Sequence, residues 1–554
     1  MASLWRHWSV KDLQELLSVQ DRGLLHSLDR VLPGILGDNF NPNDLYMRDS
    51  LIKIVEAFLP AEALASQKFR AACLNRLPLD ELRACARAVG VRADLDSFAA
   101  QLDVVGGHRW TPQFAAAFVS HFGLGSHFLP ARKEASPDHV DFEPPTRATP
   151  STLYSRFKQL KDYQFGVFFD ACDRVETPRA RFMIQMPTGS GKTRTGMEIV
   201  CAALSREDAP VVIWLAHSEE LCEQAFQCFV DVWPHLAERP LRAHRYWGEH
   251  LSPRLDPTRA SLLVAGFQKV LGGLKDTDLL SQIRSRSFLV VVDEAHKSEA
   301  PSYKRVIEAV LGDDTRLIGL TATPGRTAIG EVTELAGFYF NQKIDLPTPS
   351  NEGVIDMLRH RGVLSHAKYV AIITGIKIEL TAAQRRVLND KLELPASVID
   401  GLATSDVRNV EIVRRLVDEA RRGSRVLLFA CSVQHSTFLT SILLYLGVRA
   451  GHVDGDTESS RRRELIDAFK NGNLQVLCNF GVLTTGFDAP NTDVVFITRP
   501  TQSPVLYSQM IGRGLRGPAI GGTPSCTIID VRDNIVGYGD AQRVYSLFDD
   551  YWAV

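Results

Sequence analysis

Three short runs of the sequence carry residues suited to chemistry on a phosphate chain. In the first, Phe182-Met183-Ile184-Gln185 leads into Met186-Pro187-Thr188-Gly189-Ser190-Gly191-Lys192-Thr193. Read as a strand, a tight loop and a helix start, it forms a cradle in which Gly189 and Gly191 let backbone N–H groups approach a phosphate at the positive end of the helix dipole. Thr188 and Ser190 complete the loop, Lys192 reaches the β- and γ-phosphates of ATP, and the Thr193 hydroxyl can ligate Mg²⁺. Met186 stands where the pattern usually has its first glycine. In the second run, Val290-Val291-Val292 leads into Asp293-Glu294-Ala295-His296. That places two carboxylates at the C-terminal end of a buried strand, where open α/β sheets put their ligands. Asp293 suits Mg²⁺, and Glu294 suits orienting and deprotonating an attacking water. In the third, Gln509-Met510-Ile511-Gly512-Arg513-Gly514-Leu515-Arg516 offers two arginines that would share one side of a helix. Arginines supplied across a cleft stabilise charge on a transferring phosphoryl group.

Such runs need elements that bring strand ends together. Short apolar stretches alternate with helical ones from residue 153 onward: Val211 to Ala216, Leu262 to Ala265, Phe288 to Val292 and Leu317 to Leu320, then Val426 to Phe429, Val476 to Cys478, Val494 to Ile497 and Thr527 to Ile529. Continuous apolar strands separated by helices indicate parallel sheets buried on both faces. The two groups are separated by a less regular stretch around Asp345 to Lys391. Before them, leucines at helical spacing (Leu13, Leu16 and Leu17 behind a Ser9 cap, then Leu24, Leu25, Leu28 and Leu32 up to Pro33-Gly34) predict helices, as do Ser50 to Phe58 and Leu79 to Val89. A polar stretch with Pro137, Pro144, Pro145 and Pro150 reads as a linker. The expected class is α/β: a helical accessory domain over 1–130, a linker over 131–152, an ATP-binding parallel-sheet domain over 153–345 and a second one over 346–554.

The bulk properties narrow the field. With 554 residues, 45% of them hydrophobic and 23% charged, the chain needs more than one core, and nothing in its composition suggests disorder or a fibre. A formal charge of −2 gives no global attraction for nucleic acid, so contacts with it must be local. Nine scattered cysteines, never spaced as C-x-x-C, predict reduced thiols and a cytoplasmic protein. Neither a signal peptide nor a membrane-spanning stretch is expected.

In order and spacing the runs resemble the motifs of superfamily 2 helicases. Residues 293–296 spell DEAH, and Thr321-Ala322-Thr323-Pro324 ends the next apolar strand as motif III does. The resemblance implies two RecA-like domains with ATP and Mg²⁺ between them. It makes Gln164 an adenine reader and His296, Thr321 and Thr323 coupling residues. Gly486 and Asp488 of Thr484-Thr485-Gly486-Phe487-Asp488 would border the nucleotide, while His217, Gln268, Thr484 and Thr485 would touch nucleic acid. Arg513 and Arg516 would contact the γ-phosphate, with Gln509 linking them to the DEAH residues. The wording of the third run, QMIGRGLR, is closest in style to RadD-like repair helicases, XPB-like translocases and restriction-enzyme motor subunits. That favours DNA over RNA as partner. The resemblance covers roughly residues 155–540, and the helical N-terminal segment lies outside it. The implied function is an ATP-dependent helicase or translocase in bacterial genome maintenance or anti-phage defence. An ATP-gated nucleic-acid sensor that recruits an effector protein through the N-terminal domain is a second expectation, and a P-loop ATPase indifferent to nucleic acid a third.

Overall fold

The computed structural model describes residues 4–20, 24–37, 47–60, 62–130, 136–143, 159–206, 210–236, 239–298, 300–322, 329–348, 353–391, 393–483, 491–501 and 503–536. The N-terminal segment is helical: Val10–Gln20, Leu24–Leu36, Arg48–Phe58, Gln67–Leu74, Leu79–Ala88, Phe98–Gly106 and Pro112–Phe122. Ser9 caps the first helix reciprocally, its Oγ accepting from the Asp12 N–H at 3.1 Å while the Asp12 carboxylate accepts from the Ser9 N–H at 2.9 Å. The second helix does not stop at Pro33-Gly34 as expected but continues to Leu36. Packing overrides the breaker: a Cβ on Gly34 would lie 2.7 Å from Val410 Cγ2, so the bare glycine lets the helix Asp406–Arg421 close in, and Arg414 donates to the Gly34 carbonyl.

Two parallel sheets follow. The first contains β1 (His139–Phe142), β2 (Arg181–Gln185), β3 (Val211–Ala216), β4 (Leu241–Tyr246), β5 (Ala260–Gly266), β6 (Ser287–Asp293), β7 (Arg316–Thr321) and β8 (Lys343–Asp345), in the order β1-β4-β5-β3-β6-β7-β2-β8. Every pairing is parallel except β1 with β4. β1 corrects the linker expectation: part of that polar stretch is an edge strand, tied down by Arg242 to Asp141 at 2.6 Å and Arg259 to Glu143 at 2.9 Å. The second sheet contains β9 (His366–Glu379), β10 (Val426–Phe429), β11 (Ala450–Val453), β12 (Val476–Asn479), β13 (Val494–Ile497) and β14 (Ser525–Val536), all parallel, in the order β11-β12-β10-β13-β14-β9. β9 occupies the stretch read as irregular.

Helices cover both faces of each sheet, so strands such as β3 and β6 are buried along their whole length. Among the described residues, the N-terminal helices find their apolar partners in the second lobe and not on the sheet that follows them in the chain. Leu13, Leu17, Leu28, Leu32, Ile54 and Val55 share one apolar core with Ile412, Val413, Leu416, Leu439 and Ile442 of the second lobe.

Candidate active site

The first lobe builds a phosphate cradle from a strand that must stop abruptly. β2 ends at Gln185, Met186 is buried with its N–H donated to the Thr321 carbonyl at 3.0 Å, and Gly189 and Gly191 then adopt φ of 87° and 89°. Those left-handed angles favour glycine, and they turn the chain into the helix Lys192–Leu204. The Ser190 carbonyl is held from behind by the Tyr163 hydroxyl at 3.0 Å and the Gln164 amide at 3.2 Å. Gln164 also accepts from the Lys161 N–H at 2.8 Å, which fixes its rotamer.

Facing the cradle, β6 delivers Asp293 and Glu294. Lys192 Nζ lies 2.8 Å from Glu294 Oε1 and 3.6 Å from Asp293 Oδ1. Glu294 sits at φ 53°, a conformation rare for a side-chain-bearing residue, and its second oxygen is 3.3 Å from His296 Nδ1. His296 Nδ1 is also 3.3 Å from Thr321 Oγ1, so the DEAH turn is tied to the end of β7. Burial raises the Asp293 carboxyl above the usual carboxylate range, reinforced by the Glu294 charge beside it. Burial works in the same sense on Glu294, but Lys192 and His296 outweigh it and hold that group well below the usual range. Lys192 is raised because its two carboxylates together outweigh its own burial. A hard cation ligated by Asp293 and the Thr193 hydroxyl fits that donor set.

The second lobe closes the site. A cleft of roughly 390 Å³ is lined by Gln164, residues 187–194, Asp293 and Glu294 on one side and by Arg513, Arg516 and Ile520 on the other. The arginines are not on a helix as expected: the helix Pro504–Ile511 ends at Gly512, and both follow in the turn after it. The turn presses on the cradle, since a Cβ on Gly512 would lie 2.5 Å from Thr188 Cγ2. Arg513 is only 7% exposed. Gln509 is half-buried on the helix and is not among the residues lining the cleft.

Two residues read as nucleic-acid contacts stand at the ends of the neighbouring strands β3 and β5. Gln268 is exposed. His217 is half-buried, pushed down to about 4 by burial and the nearby Lys297 charge, and close enough to Glu294 to feel it. Thr323, Thr484, Thr485, Gly486 and Asp488 lie outside the described residues. Arg361, Leu364 and Ile520 belong to the site's surroundings without any motif to announce them, while Tyr163 stands beside the Gln164 that the sequence singles out.

Residues 157–326 match the family described as type III restriction enzyme, res subunit, and residues 408–517 the helicase conserved C-terminal domain. The chain therefore carries the paired domains of the superfamily 2 helicase family. Among its relatives is IRC3 of Saccharomyces cerevisiae, an ATP-dependent helicase by name, 26% identical over 411 residues that make up 69% of this chain and 55% of that protein. The type I restriction enzyme EcoAI endonuclease subunit of Escherichia coli is 22% identical over 68% of this chain and 46% of its own length. The chain thus spans about half the length of these curated relatives. A solved fragment named as an HsdR subunit of a type I restriction enzyme from Vibrio vulnificus shares the fold, with a TM-score of 0.50 at 18% identity over 73% of this chain and 68% of that one. Among the described residues, no helix is long and apolar enough to cross a membrane.

Proposed function

We propose that the protein is a nucleic-acid-stimulated ATPase that moves along DNA. The observation that carries the proposal is the divided cleft, with Lys192, Asp293 and Glu294 on one lobe and Arg513 and Arg516 on the other. In this reading the N–H groups around Gly189 and Gly191 bind phosphate oxygens and Lys192 leaves its carboxylates for the β- and γ-phosphates. Gln164 reads adenine. Asp293 and Thr193 would hold Mg²⁺, which would supply charge neutralisation on the phosphates. Glu294, freed from Lys192, takes a proton from the attacking water, and Arg513 and Arg516 stabilise the charge that develops. Loss of the γ-phosphate removes what the arginines hold, and the lobes part. His296 and Thr321 carry that change to the strand-end loops, where His217 and Gln268 grip the backbone, and Thr484 and Thr485 add contacts as the resemblance implies.

DNA is favoured because restriction-enzyme subunits stand among the relatives and the arginine run has their style, which suits a role in bacterial genome maintenance or anti-phage defence. The nine free thiols suit a reducing compartment, the cytoplasm. A sensor that recruits an effector protein is the second reading. It is favoured by the packing of the N-terminal helices on the second lobe, which makes lobe closure move them as a body.

Steady-state hydrolysis by the wild type and Glu294→Gln, measured without nucleic acid and with single-stranded DNA, duplex DNA and RNA, tests the proposal. The expected result is stimulation by DNA and a loss of about 10²–10⁴-fold in kcat in the variant. Equal rates under all four conditions would sink the motor reading.

A further inference from the structure

A second bridge joins the lobes beside Gln164. Asp162 opens the helix Asp162–Glu176, its carboxylate accepting from the Tyr163 N–H at 2.9 Å and pairing with the Arg361 guanidinium. That guanidinium lies 5.8 Å from the centroid of the buried Tyr163 ring, whose hydroxyl holds the Ser190 carbonyl. Arg361 therefore grips the segment that grips the phosphate cradle. It also caps the helix Val354–His360, just before β9 of the second lobe.

The residues after Arg361 are bonded to the arginine turn. Gly517 N–H donates to the Val363 carbonyl at 2.9 Å and Ala519 N–H to the Gly362 carbonyl at 2.8 Å. The Ser365 hydroxyl is 2.6 Å from the Arg516 carbonyl. Ile520, next on this loop, lines the cleft with Tyr163 and Gln164. Leu364 packs on the cradle, 3.3 Å from where a Cβ on Gly189 would stand.

We propose that Arg361 is a positioning residue through which the base in the cleft sets the arginine turn. The proposal rests on the ATPase reading and deepens it: base recognition and arginine seating are one event because residues 361–365 join them. The ion pair is exposed, with 36% and 75% of its two side chains accessible, and pairs of that kind contribute little to stability. Its effect belongs to coupling.

The test compares the wild type, Arg361→Ala and Arg361→Lys in kcat and KM for ATP and GTP with duplex DNA present, in equilibrium binding of mant-ATP and mant-GTP, and in melting temperature. For Arg361→Ala the expected result is a kcat for ATP at least about fivefold lower with KM within about twofold of the wild type. The ATP-over-GTP advantage shrinks and the melting temperature stays in place, while Arg361→Lys, which keeps the charge opposite Asp162, recovers part of the rate. An Arg361→Ala protein with wild-type kcat and wild-type base preference overturns the proposal. If the wild type hydrolyses nothing, the ATPase reading fails and the binding titration decides the coupling. A mant-ATP preference lost in Arg361→Ala supports it, and a preference unchanged, or absent in the wild type, overturns it.

Discussion

Asp530 is a carboxyl group in surroundings that disfavour its charge. It stands on β14, buried and hydrogen-bonded by Tyr507, and burial pushes it up to about 7 against the pull of Arg532. Its unfolded value is near ~3.9, so between about pH 4 and pH 7 the folded chain binds the extra proton and stability falls as pH rises. Two histidines act in the opposite sense: half-buried His217 and buried His244, both pushed down to about 4 chiefly by desolvation, contribute stability that is lost as pH falls below ~6.5. The comparison is therefore between Asp530→Asn and the wild type by urea unfolding across that range. The variant should gain on the wild type by up to about 1.4 kcal/mol per pH unit as pH rises, and a constant difference would show that Asp530 titrates as in the unfolded chain. Residues of this kind are invisible in the sequence, as are Arg361 and Ile520, because their partners are distant in the chain and no spacing announces them. Lys192, Asp293 and Glu294 are legible as neighbours because the loop that leaves β2 and the end of β6 lie on the same edge of a parallel sheet, where ligands gather. The arginine run misleads in one respect: three-residue spacing suggests a helix face, but Gly512 ends the helix and lets the turn reach Thr188.

At the scale of elements, the helix Leu24–Leu36 is held by its neighbour against its own sequence. Pro33 removes a donor from the helix interior, so Pro33→Ala should stabilise the protein by up to about 3 kcal/mol. Gly34→Val should destabilise it by about 1–3 kcal/mol, because its side chain meets Val410. Thermal unfolding of both variants checks this, and a stabilising Gly34→Val would mean that the two helices are not in contact. The same contest between local pattern and packing decides which strands can be read. β3, β6 and β13 are continuous apolar runs at the centres of their sheets and are legible as such. β4 carries Arg242, His244 and Arg245, and Arg245 hides its charge over the Phe226 ring at 3.7 Å, a pairing that no local rule foresees. β9 is an edge strand that is exposed at alternate positions, so it lacks the apolar run that marks its neighbours.

For the molecule as a whole, the shared core predicts that the N-terminal helices and the second lobe unfold together. Leu439→Ala, in that core, should cost about 2–5 kcal/mol. It should speed hydrogen exchange in Leu24–Leu36 and β11 alike while the strands of the first lobe keep their protection. Independent exchange of the helices would contradict a common core. Their placement was not legible, since the apolar faces of Leu13, Leu28 and Ile54 require some partner without indicating which. The arrangement also bears on how the protein is made. Helices that leave the ribosome well before the second lobe bury their apolar face against residues encoded roughly 400 codons later, an interval of about 20–80 s at ~5–20 residues per second. Through that interval the nascent chain carries an uncovered leucine surface, a natural client for a chaperone that waits at the exit tunnel.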